Sequence, residues 1–138
     1  MSDSGPPKLK EFARRLLAYE AATGKPAGPN GSAAFGVCEK LRGPLAKNLG
    51  IGGLCALMAR AMALAGAEVP WLRALRVKAD CSLEGLDKLE AKLDSRAIAE
   101  GEVVLVAQLL GLLVTFIGPA LTLPLLHDIW PKMDDLNF

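Results

Sequence analysis

Over residues 7–22 the apolar positions form a single stripe. Leu9, Phe12, Ala13, Leu16 and Leu17 recur at i, i+3, i+4, i+7 and i+8, the spacing of one face of an α-helix. Lys8, Lys10, Arg14 and Arg15 lie off that face. Pro7 suits the first helical position, and Thr23-Gly24-Lys25-Pro26 stops the helix. A second helix is expected from Ser32, with Phe35, Cys38 and Leu41 on one face, ended or kinked by Gly43-Pro44. A third, nearly all apolar, is expected from Leu54 to Ala67, with Arg60 its only charge.

The pattern then changes. Val69-Pro70-Trp71 breaks the third helix, and Leu75-Arg76-Val77-Lys78-Ala79 alternates, as a short strand or extended arm would. Asp80-Cys81-Ser82 turns the chain, so a small hairpin near 75–83 is admissible. Leu86, Leu89 and Leu93 have helical spacing, and Asp94-Ser95 offers a cap for the element that follows.

That element dominates the chain. From Val103 to Leu126 no residue is charged. An uncharged run of this length is a membrane-span candidate. Gly118-Pro119 interrupts it, however, and a helix from Glu102 to Ile117 would reach roughly 24 Å at about 1.5 Å per residue, short of a ~30 Å hydrocarbon core. Neither end carries a cluster of Lys or Arg, and Trp130 is the one aromatic placed for an interfacial belt. A buried helix followed by a helix kinked at Pro124, with Thr122 as the cap of a restart, is the preferred reading. Ala107, Gly111 and Thr115, spaced by four, make a ridge of small side chains for close helix packing. Gln108 is the polar exception, expected to be a core glutamine bonded to a neighbour.

The resulting expectation is an all-α chain: residues 1–138 as one compact bundle of five to six helices around a buried central helix. Residues 1–6 form a flexible start and residues 132–138 an acidic tail. The 51% apolar content and mean hydropathy of +0.30 are high for a soluble chain and keep the membrane alternative open. Net charge is +1 but unevenly spread. Through Lys78 there are 12 Lys/Arg against 5 Asp/Glu, and from Ala79 onward 4 against 10. The basic half has scattered cations and few aromatics, which does not make a nucleic-acid surface. It makes a dipolar chain whose halves attract each other or steer a partner.

Chemistry is sparse. His127 is the only histidine, and its neighbour Asp128 does not face it on a helix. Cys38, Cys55 and Cys81 have no C-x-x-C spacing, which argues against a zinc site and a disulfide framework and makes reduced thiols in a cytoplasm the expectation. The glycine cluster Asn48-Leu49-Gly50-Ile51-Gly52-Gly53 lacks the spacing of a phosphate loop and reads as a hinge. No catalytic residues, cofactor or metal are expected, and the chain is read as a non-enzyme.

The stretch VVLVAQLLGLLVTFIG, with LTLPLLHDIWP after it and EVPWL before it, resembles a family of small uncharacterised bacterial α-helical proteins. The likeness covers the second half best. It implies bacterial origin and carries over no function.

By elimination, the chain is expected to act by binding a protein partner or a second copy of itself, with a homodimer the simplest form. Too few helices with a polar face remain to cover every apolar surface. Leu121, Leu125, Trp130 and Trp71 are the expected interface residues. Two other readings stand beside this one: membrane insertion of residues 103–126 as an anchor or pore, and a helical core that binds an apolar small molecule.

Overall fold

The computed structural model describes residues 7–23, 33–78, 83–85 and 93–131. The chain is mostly helical, with four α-helices among these residues: α1 (Pro7–Thr23), α2 (Ala33–Glu68), α3 (Ser95–Ile117) and α4 (Pro119–Ile129). A 3-10 helix, Pro70–Ala74, follows α2. Arg76–Val77 then pairs antiparallel with Leu83–Glu84, in the register Arg76↔Glu84 and Val77↔Leu83.

The stripe of α1 faces inward: Leu9, Phe12, Ala13, Leu16 and Leu17 are buried, and Glu11, Arg14 and Arg15 are exposed. Lys10 lies between the two faces and its Nζ meets Glu68 Oε1 at 2.8 Å, tying the start of α1 to the end of α2.

Neither Pro44 nor Pro124 ends its helix. α2 runs through Pro44, and its one non-helical residue is Gly50, at φ 77°, ψ 164°. Proline removes a single ladder bond and crowds the preceding turn. Here Leu41 and Leu45, buried on either side of it, hold the helix in place against the core. The break falls instead where a left-handed φ is required, which glycine supplies at little cost. α4 likewise continues through Pro124. Thr122 caps no restart. It lies inside α4, fully buried, and its Oγ1 donates to Gly118 O at 2.8 Å. α2 is two helical stretches that meet at the Gly50 kink, within the glycine cluster expected to act as a hinge.

Asp94 caps α3 as its sequence position suggests, with Oδ1 accepting from the Ala97 amide at 2.7 Å. α3 packs against α1, α2 and α4, and every residue from 104 to 110 is buried. Its N-terminal turn and the turn before Gly118 are more open, with Arg96, Glu100, Thr115 and Phe116 exposed. The expected helix over Leu86 and Leu89, the flexible start and the acidic tail lie outside the described residues. Leu93, at the edge of that stretch, sits in a bend before the Asp94 cap.

Candidate functional site

The two tryptophans are spent inside the chain. Trp130 is 2% exposed, and its indole Nε1 donates to Glu20 Oε1 at 3.0 Å. Lys40 Nζ donates to the same oxygen at 2.8 Å. One buried carboxylate therefore joins α1, α2 and the end of α4. The expectation of Trp130 as an interface anchor is corrected: its apolar body is covered and its donor is satisfied by an acid 110 positions away in sequence. Glu20 is the residue that sequence reasoning missed. It continues the buried stripe of α1 one turn beyond Leu16, and an acid on an apolar stripe signals a buried partner.

Trp71 is half-buried, and its ring packs closely against Gly101. A Cβ built at Gly101 would stand 2.8 Å from Trp71 Cε2 and closer still to the ring edge. Glycine at 101 is therefore what admits the indole. Leu125 is half-buried. Of the four expected interface residues, only Leu121 is widely open, at 63%. Phe116, also at 63%, and Ile51, at 56%, are the other large apolar side chains left exposed among the described residues. Phe116 and Leu121 stand on either side of the Gly118 turn, where α3 ends and α4 begins. They flank an uncharged turn, and we call this exposed apolar stretch the knuckle. Ile51 follows directly on the Gly50 break in α2.

The small-residue ridge divides. Ala107 is fully buried, and Gly111 is half-buried, with Leu9 Cδ1 3.4 Å from where a Cβ would sit. Thr115 is exposed, with Oγ1 donating to Gly111 O at 2.9 Å. The ridge thus meets α1 at Gly111 and has left the packed zone one turn later, which corrects the expectation for Thr115. Gln108 is buried and partnered, and no described buried side-chain nitrogen or oxygen lacks a hydrogen bond.

Among the described residues, His127 and the acidic side chains form no reactive cluster. His127 and Asp128 are exposed on α4. No group of three or more His, Cys, Asp or Glu with metal-binding geometry occurs among the described residues. The cysteines depart from expectation: Cys55 is disulfide-bonded, Cys38 is free, and Cys81 lies outside the described residues. No local spacing announces such a bond. Burial pushes the Cys38 thiol up to about 12, and the carboxylates of Glu39 and Glu102 add to the rise. A thiol is reactive as its thiolate, so at pH 8 only about one part in ten thousand of Cys38 is ready to react. Iodoacetamide is expected to leave the native chain essentially unlabelled near neutral pH, with labelling speeding up as pH rises toward 12. After unfolding without reductant, mass spectrometry should find a single alkylated cysteine. Three alkylated cysteines would show the bond at Cys55 to be absent.

Searches against models of protein families, curated protein sequences and solved structures find no match.

Proposed function

We propose that this chain is a non-enzymatic helical interaction module that works by docking a protein partner, in its simplest form a second copy of itself. The exposed knuckle of Phe116 and Leu121 carries this reading. The other large apolar side chains of the uncharged run are buried or half-buried on and around α3, which we read as the central helix of the bundle. These two stand out into solvent at a tight turn, and paired apolar exposure on a small domain favours a contact site. A standard interface covers about 800 Å² on each partner. Two side chains supply only part of that, so the association is weak and concentration-dependent.

Sedimentation equilibrium tests the proposal. The native chain is expected to pass from monomer to dimer as concentration rises. Leu121→Asp and Phe116→Asp should each hold it monomeric while changing stability by no more than about 0.5 kcal/mol, as exposed positions do. A native chain that stays monomeric at every concentration would remove self-association from the reading.

A second reading is favoured by one observation. Two helices contain windows apolar enough to cross a membrane: Gly36–Glu68, mean hydropathy 1.6 and 39% buried, and Arg96–Ile117, mean hydropathy 1.9 and 50% buried. In that reading the unburied share faces lipid. Recovery solely in a carbonate-resistant membrane fraction would favour it over docking. The disulfide at Cys55 bears on place in either case. It favours an oxidising compartment over the reducing cytoplasm expected from cysteine spacing.

A further inference from the structure

We propose that α4 is a hinged strap, able to swing as one unit about Gly118 and held shut by the bond from the Trp130 indole to the buried Glu20 carboxylate. This goes beyond the docking proposal and does not depend on it.

The hinge is visible in the backbone. Gly118 has φ 81° and ψ 159°, and apart from its own chain neighbours no atom lies within 4 Å of the position a Cβ would take. The ladder of α3 ends there, with the Gly118 amide donating to Val114 O at 2.9 Å. Pro119 has no amide to offer. The amides of Leu121 and Thr122 both turn back to Gly118 O, at 3.3 and 3.0 Å, and the Thr122 hydroxyl does the same. The first turn of α4 is therefore satisfied within itself, and rotation at Gly118 breaks none of these bonds to α4.

The latch lies at the other end. Thr122, Leu126 and Trp130 are the buried face of α4, one turn apart, and Leu121, Pro124, His127 and Asp128 are exposed on the outside. Apolar burial of Leu126 and Trp130 makes the closed form the stable one. The directed contact is Trp130 Nε1 to Glu20 Oε1. Glu20 is also held by Lys40 from α2, so the carboxylate keeps a partner when the indole leaves. Opening thus exposes a stripe of core without stranding a lone buried charge, which lowers its cost relative to general unfolding.

Amide hydrogen exchange read by mass spectrometry on the full, oxidised chain tests this, with the native protein compared with Trp130→Phe. Phenylalanine keeps most of the apolar bulk and removes the donor. The expected result is exchange over residues 125–130 faster by roughly ten- to a hundredfold, the worth of one hydrogen bond to a charged acceptor. Exchange over α1 and over residues 104–110 should stay as in the native chain. Acceleration by one common factor in every helix would overturn the proposal, since α4 would then open only when everything does. Unchanged exchange over 125–130 would overturn it too, because the bond would hold nothing. Should Trp130→Phe fail to fold, the native chain decides alone. Residues 125–130 must exchange faster than residues 104–110, at a rate that low denaturant leaves unaltered, and equal protection in the two segments would sink the strap.

Discussion

Leu109→Ala is expected to lower the unfolding free energy by about 2–5 kcal/mol, and Leu121→Ala by no more than about 0.5 kcal/mol. Both leucines belong to the same uncharged run. Leu109 is fully buried on α3, which packs against α1 and α2, so its truncation loses transfer free energy and leaves a cavity. Leu121 is 63% exposed, so its truncation removes little that was sheltered from water. Urea titration followed by circular dichroism, on chain kept in aqueous buffer, measures both. The contrast also separates the two functional readings. If the run lay in lipid, the two positions would be equally surrounded by hydrocarbon, and the steep difference in aqueous stability would not be found.

Gly101→Leu is expected to destabilise by about 3 kcal/mol, the upper end for overpacking a close contact. Even a Cβ there overlaps the Trp71 ring, which is large and rigid and is carried on the 3-10 helix. Gly111→Leu should cost less, about 1–3 kcal/mol. Its nearest obstacle is the terminal methyl of Leu9 at 3.4 Å, the far end of a flexible side chain, and the site is half open. Part of the cost at both positions is offset by the better helix propensity of leucine, worth up to about 1 kcal/mol over glycine. Thermal melts of the two variants, with Trp71 fluorescence as a local probe, provide the check. A larger loss at Gly111 than at Gly101 would mean that the indole yields easily and the α1 contact does not.

Some of this fold is legible in the residues because the signal is local. The α1 stripe, the Asp94 cap and the breaks at Gly118 and at Val69-Pro70 follow from spacing and backbone chemistry within a few positions. The prolines at 44 and 124 mislead because local rules price only the lost bond and the crowded turn. They omit what Leu41, Leu45, Thr122 and Leu126 gain by staying in register with the core. The candidate surface is legible only in part, for a related reason. Leu121 can be picked out from its run, but nothing near Trp130 reveals that its donor will find Glu20 on the first helix. Trp71 and Gly101 present the same difficulty, and so does the bond at Cys55, since a pairing between distant positions leaves no trace in either neighbourhood. The apolar excess that suggests a tryptophan-anchored interface is instead largely taken up by these long-range contacts.

The packing of α1 against α3 has a consequence for how the chain is made. The contact between Leu9 and Gly111 joins residues 102 positions apart. At a synthesis rate of about 5–20 residues per second, the first helix leaves the ribosome roughly 5–20 s before its partner exists. Throughout that interval Leu9, Phe12, Leu16 and Leu17 have nowhere to go but α2, whose own inner face also waits for α3. The nascent chain therefore carries a sticky amphipathic helix throughout that interval, and its yield in a cell should depend on how well holding chaperones occupy that helix until α3 has been made.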